Sequence, residues 1–212
     1  VTPFLLVLSS PSGGGKSTIA RHLLEARENV TYSISATTRP RRNGEEDGRH
    51  YHFVDRPAFE RKIAAGELIE WAEYGEHLYG TLKSEVERGL AAGRHVVLDI
   101  DVAGARQVRK RFPDSVQVFV LPPSAATLVQ RLANRNTEDQ NGVGARMEIA
   151  ARELKAVSEY DYVVVNDDFV EAVAHVAAIL DVEERRVRRL TNLNEVVDGL
   201  RRELADLRGS KE

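Results

Sequence analysis

Phe4-Leu5-Leu6-Val7-Leu8-Ser9, then Ser10-Pro11-Ser12-Gly13-Gly14-Gly15-Lys16-Ser17, then Thr18-Ile19-Ala20-Arg21-His22-Leu23-Leu24 are three consecutive stretches of different character. The first is a continuous apolar run of strand length. The second is a glycine loop that ends in Gly-Lys-Ser. In the third, apolar residues recur at helical spacing, Ile19 with Leu23 and Ala20 with Leu24. Strand, glycine loop and helix in that order form the context in which a P-loop motif carries meaning. Gly13, Gly14 and Gly15 lack a Cβ, so the backbone can curl and aim successive N–H groups at one centre. The helix adds its positive N-terminal end, Lys16 a point charge, and Ser17 a hydroxyl for Mg²⁺. Ser12 and Thr18 complete the candidate triphosphate cradle, residues 12–18. The strict motif opens with Gly where this chain has Ser10, a small residue that the turn accepts if its φ stays negative. A flexible Gly/Ser linker has the same composition, but a linker does not separate a buried strand from an amphipathic helix.

The chain of 212 residues is long enough for one domain with excursions and a sizeable core. Its 30 basic and 33 acidic residues balance, which gives no general pull towards nucleic acid or a membrane surface. There is no Cys, hence no disulfide framework and no thiolate metal site. No apolar run reaches membrane-spanning length and no signal-peptide pattern precedes Phe4, so the expectation is a cytoplasmic enzyme or module. The six histidines show no zinc-ligand spacing.

Along the chain, residues 32–38 alternate and read as one short strand, 39–49 as a polar loop, and 51–54 as a strand. A helix opens at Pro57 and runs to Gly66. Residues 68–74 read as strand, 75–80 as a turn, and 84–92 as a helix capped by Ser84 and closed by Gly93. Residues 33–92 therefore look like a subdomain inserted after the first βα unit. The core resumes at 96–101, an apolar strand ending in Asp99, the candidate acid for Mg²⁺ across from the P-loop hydroxyl. Helices are expected at 103–112, 124–135 and 145–158, separated by a polar loop at 136–144. Strands are expected at 116–121 and 162–166, and a closing helix from Phe169 to about Arg189. Three or four parallel strands alternating with helices predict a doubly wound α/β core.

Several motifs now fall into one order. They are the loop 10–17, Ser35-x-Thr37-Thr38-Arg39-x-x-Arg42-x-Gly44-Glu45, Gly48-x-x-Tyr51-x-Phe53, Glu70-Trp71-Ala72, Tyr79-Gly80-Thr81, Asp99-Ile100-Asp101, Pro122-Pro123-Ser124 and Val165-Asn166-Asp167-Asp168. Together, over about residues 4–186, they resemble a guanylate kinase. The resemblance implies an α/β P-loop kinase core with a parallel sheet flanked by helices, formed by 1–32, 93–124 and 159–189. It further implies a GMP-binding α+β subdomain at 33–92 and a helical lid at 125–158.

It also implies ATP and GMP as substrates, with Mg²⁺ entering alongside ATP. Lys16, Arg42, Arg135 and Arg146 become the catalytic cations, and Arg131 and Asn166 join the ATP side. Arg39 and Arg42 would clamp the acceptor phosphate by forked hydrogen bonds, with the Tyr51 and Tyr79 hydroxyls completing the ring. Glu70 would accept the adjacent N–H and NH₂ donors of guanine, which adenine does not offer. Asp101 would lie near the 2-amino group, Ser35 and Thr81 near O6 and N7, and Asp99 beside the acceptor as well as the metal. Two departures from the family pattern stand out, Asn136 where Gly is usual after the lid arginine, and Ala103 where Gln is common. The same fold can also serve as a catalytically silent interaction module, or as a P-loop kinase for another phosphorylated acceptor. The presence of Lys16, Glu70 and the arginines favours the active kinase.

The tail, 190–212, is an amphipathic stretch in which Leu190, Leu193, Val197, Leu200, Leu204 and Leu207 step by three and four. Such a seam fits equally a helix packed on its own core and a homo-oligomer contact.

Overall fold

The computed structural model describes residues 1–134 and 143–209. The chain opens with strand β1 (Leu5–Ser9), helix α1 (Lys16–Ala26), and strands β2 (Val30–Tyr32), β3 (Ser35–Thr37) and β4 (His52–Phe53). Helix α2 (Arg56–Ala64), strands β5 (Leu68–Tyr74) and β6 (His77–Leu82), helix α3 (Lys83–Ala91) and strand β7 (His95–Asp99) follow. Next come α4 (Val102–Arg111), β8 (Val116–Leu121), α5 (Ala125–Asn134) and α6 (Val143–Leu154). The last elements are β9 (Tyr162–Val165), α7 (Phe169–Glu184) and α8 (Leu193–Gly209).

Five strands make a wholly parallel sheet in the order β2-β7-β1-β8-β9. Its central strand β1 is buried along its whole length, because both faces are covered. Leu6 and Leu8 pack with Ile19 and Leu23 of α1 and Val176 and Leu180 of α7. Leu5 and Val7, pointing the other way, meet Val86 of α3 and Val108 of α4. The uninterrupted apolar run that opens the chain is thus two alternating faces of one core. The sheet's C-terminal edge carries the glycine loop and Asp99, where open α/β sheets bind ligands.

A second sheet, ordered β4-β3-β6-β5, packs on α2 through Ala36, Phe59, Leu68 and Leu78. Gln107 of α4 fastens its strand β5 to the core. The Gln107 amide donates to the Trp71 carbonyl at 2.8 Å, and the Trp71 N–H returns a bond to Gln107 at 3.2 Å. Helix α3 follows the second sheet in sequence yet contributes Val86 to the core cluster of the first.

The structure corrects five expectations. The stretch 32–38 is two strands, because Ser33 donates to the Val97 carbonyl and the chain then leaves the core sheet for the second one. Residues 75–80 are not a turn throughout. Only the Gly75-Glu76 pair turns, with Gly75 at φ 63°, and 77–82 form the central strand β6. Gly80 serves close strand packing there, since a Cβ would lie 2.8 Å from the Glu70 carbonyl oxygen. Ser84 does not cap α3, whose N-cap is Leu82 with no side-chain bond. Helix α7 stops at Glu184 instead of near Arg189. The parallel strands number five where three or four were expected. Among the described residues no helix is long and apolar enough to cross a membrane.

Candidate active site

Between β1 and α1 the loop turns twice through left-handed backbone, at Gly13 (φ 87°) and Gly15 (φ 93°), conformations that favour glycine. A Cβ on Gly14 would lie 2.6 Å from that of Ser10. The two small residues thus close the turn against each other, and Ser10 is buried without strain. Ser17 and Thr18 stand exposed at the start of α1. Asn166, buried at the end of β9, donates its amide to the Gly14 carbonyl at 2.9 Å and would obstruct any side chain at Gly15. Its side chain therefore holds the loop's shape. Arg131 of α5 lies over Gly13 and donates one Nη to the Asn166 carbonyl at 3.4 Å. Its other Nη is buried with no hydrogen-bond partner, an orphaned cationic donor beside the loop, as an anion-binding site requires.

In front of the loop lies a cavity of about 300 Å³ that brings together residues from both sheets. Ser12, Lys16 and Asp99 line it from the core side. Ser35, Arg42, Tyr51, Glu70 and Tyr79 line it from the second sheet and its loop, with Asp101 and Arg146 closing it. The Lys16 ammonium lies 2.9 Å from Asp99 Oδ1. Tyr51 and Tyr79 meet edge to face, centroids 6.1 Å apart. Burial, and after it the Asp99 charge, push the Tyr51 hydroxyl pKa up, so it stays a proton donor.

Glu70 is a buried carboxylate lining the cavity, with only 4% of its surface exposed. Thr81 donates to its Oε1 at 2.6 Å, and a Cβ on Gly104 would lie 2.5 Å from Oε2. Burial raises its pKa to about 7, with nearby Asp101 adding to the rise and the Thr81 bond opposing it. Asp101 has a second task, accepting the Gly104 N–H at 2.7 Å as the N-cap of α4.

Not every expected residue faces the cavity. Arg39 does not line it. Its guanidinium is forked onto Glu45, at 2.6 and 3.0 Å, and lies against the Tyr51 and Phe53 rings. That pair, which pulls the Glu45 pKa down, shapes the loop, and Glu45 also accepts the Arg42 N–H at 2.8 Å. Thr81 is likewise turned onto Glu70 and away from the open space. Arg135 lies outside the described residues, as do positions 136–142. Sequence reasoning missed three participants. Glu153 lines the cavity and accepts the Ser12 N–H at 3.3 Å. Its spacing from Arg146 along α6 puts both on one helix face, and that was the available signal. Tyr32 and Tyr74 also line the cavity, and nothing in their local sequence marks them.

Ser17 and Asp99 offer hard oxygen donors on the loop side. Among the described residues no group of three or more His, Cys, Asp or Glu side chains forms a metal cage. Few protein oxygens is the donor set Mg²⁺ takes when it keeps waters and phosphate oxygens as its other ligands. The residues present fit that ion. A second cavity, of about 340 Å³, lies at the N-terminal end of β1. Its Arg188 and Arg189 are committed to Asp114 and Glu183, and it holds none of the groups above.

A family model described as guanylate kinase matches residues 3–183. The guanylate kinase of Desulfitobacterium hafniense (strain Y51) is 49% identical over 185 residues, which cover 87% of this chain and 92% of that protein. That of Symbiobacterium thermophilum is 48% identical, covering 87% and 88%. The crystal structure of guanylate kinase from Anaplasma phagocytophilum superposes with a TM-score of 0.76 at 35% identity, covering 93% of this chain and 95% of that one. On this likeness in sequence and in fold, the chain belongs to the guanylate kinase family of nucleoside monophosphate kinases.

Proposed function

We propose that the chain transfers the γ-phosphoryl group of ATP to GMP, giving ADP and GDP, with Mg²⁺ accompanying ATP. The observation that carries this reading is a buried carboxylate, Glu70, in the same cavity as the P-loop lysine. Guanine presents N1–H and the 2-amino group side by side, and one carboxylate accepts both. Adenine presents an acceptor at N1, which would leave a buried carboxylate unpaired, and this supports strong discrimination. Thr81 and the missing Cβ of Gly104 position the carboxylate, and Ser35 and Asp101 flank it.

The acceptor phosphate then falls to Arg42, Tyr51 and Tyr79, within the subdomain 33–92, with Arg39 joining them by exchanging Glu45 for a phosphate oxygen. An oxygen of that phosphate attacks the γ-phosphorus, the bond to the β-phosphate oxygen breaks, and ADP leaves. No protein nucleophile is needed, so the protein's task is positioning and charge stabilisation. Lys16 leaves Asp99 to bind the β- and γ-phosphates. Arg131 offers its orphaned Nη on the ATP side. Arg146, with Arg135, carries the lid's contribution from 125–158. Ser17 and Asp99 would hold the Mg²⁺ that accompanies ATP, and the ion would supply neutralisation of charge on the transferring group.

A coupled ADP-release assay with GMP, IMP, AMP and dTMP as acceptors tests the reading. GMP should be used best, IMP less well because it lacks the 2-amino donor, and AMP and dTMP barely. Equal use of AMP and GMP would remove the role given to Glu70, and absence of turnover with any acceptor would favour a silent interaction module.

A further inference from the structure

Helix α8 does not pack its seam on the chain's own core. Val197 is 42% exposed, Leu200 55%, Leu204 61% and Leu207 65%. The tail also lies beyond the part matched by the family model, which ends at residue 183. In heptad terms Val197 and Leu204 occupy a positions, and Leu193, Leu200 and Leu207 occupy d positions. Of the two a residues Val197 is β-branched, and a β-branched a residue with Leu at d suits two parallel strands. The flanking charges point the same way. Position g carries Glu203, and e carries Arg201 and Arg208. Among the described residues neither Glu203 nor Arg208 has an ion pair, and Arg201 approaches Asp198 only at 3.7 Å.

In a parallel pair, each g residue meets the e residue five positions on in the other helix, so Glu203 meets Arg208 twice by symmetry. In an antiparallel pair, e faces e and g faces g, which sets arginines against one another and leaves Glu203 without an arginine. We propose that α8 pairs in parallel and in register with α8 of a second copy, joining two molecules through a two-stranded coiled coil. The contact is independent of the catalytic reading. At 17 residues the helix is about 25 Å long. The dimer is therefore weak and depends on concentration.

Sedimentation of the full chain from low micromolar to near-millimolar concentration tests this. The expected result is a monomer–dimer equilibrium. Leu204→Asp should raise the dissociation constant about tenfold or more with GMP kinase turnover unchanged. Glu203→Arg and Arg208→Glu should each weaken the dimer several-fold, and the double exchange Glu203→Arg with Arg208→Glu should restore it. A monomer at every concentration, or a dimer indifferent to Leu204→Asp, overturns the proposal. Strengthening by Arg208→Glu alone, the mark of antiparallel pairing, overturns it too. Circular dichroism shows whether each variant keeps its fold, and the charge exchanges, made on exposed positions, stay informative if Leu204→Asp does not.

Discussion

The loop before α1 and the Glu70 pocket both grip a nucleotide in the proposed reaction, yet they are built in opposite ways. The loop is main chain. Glycines at positive φ set its path, and two distant side chains pin it, Asn166 through the Gly14 carbonyl and Glu153 through the Ser12 N–H. Its binding groups are N–H dipoles and a helix end, which cost little to keep ready because they carry no net charge to desolvate. The Glu70 pocket is side chain. A carboxylate from β5, a hydroxyl from β6 and a glycine gap from α4 meet in it, and the carboxylate is held at a pKa of about 7. That group is costly in the empty protein and becomes useful when guanine supplies its donors. Phosphate binding can rest on backbone because every nucleotide carries phosphate. Telling guanine from adenine needs a buried, uncompensated acceptor.

The contrast can be broken first at its strongest point. Lys16→Ala should lower kcat about 10²- to 10³-fold, as loss of one transition-state donor does, while GMP binding, followed by calorimetry, holds. A large loss of GMP affinity would mean that the two pockets are not separable.

Glu70→Gln should do the reverse, raising the GMP KM about 10²-fold with ATP binding little changed. It should also change stability in a pH-dependent way. The folded pKa of about 7 lies above the ordinary 4.5, so the contribution of this group is intact below pH 4.5 and is lost as pH rises through 7. At pH 8 the Gln variant should therefore be more stable than the parent, by up to about 3 kcal/mol, with the difference vanishing near pH 4.5. Urea melts at the two pH values check the sign. Gly104→Ala sharpens the same point while keeping Glu70 itself, since the new Cβ would lie 2.5 Å from Oε2. Displacing Oε2 should raise the GMP KM about tenfold and leave the ATP KM alone. Smallest is Asn166→Ala, which should cost about 1–2 kcal/mol and act on the ATP side, because only the loop loses its brace.

How legible each region was in the sequence follows the same division. The strand, glycine loop and helix at 4–24 were readable because the requirement for each residue is local, an apolar run, missing Cβ atoms and a 3.6-residue period. Asp99 was readable as the end of an apolar strand, and Glu70 only through its family pattern. The family pattern places Arg39 and Arg42 together in a phosphate clamp, and only the fold shows that Arg39 is paired with Glu45 in the ligand-free protein. Two arginines three residues apart look alike in sequence, and the path of one loop decides which of them meets a carboxylate before any ligand binds. The family pattern puts Thr81 near the base, and only the fold shows that its hydroxyl donates to Glu70. For Glu153 the sequence offers only its shared helix face with Arg146, and contact between α6 and the loop is decided by the fold.

The tail repeats this. Its heptad spacing is written in the residues, but the spacing was equally good for an internal helix. Only the exposure of Leu200, Leu204 and Leu207 shows that the chain's own core leaves the seam uncovered. By itself, then, the sequence determined the strand–loop–helix unit, the parallel apolar strands and the list of charged groups. These depend on backbone conformation and side-chain period within a few residues. Tertiary structure alone decided which of those charges are paired, which are buried and which share a cavity. Desolvation and ion pairing depend on neighbours brought from far along the chain, and local pattern carries no record of them.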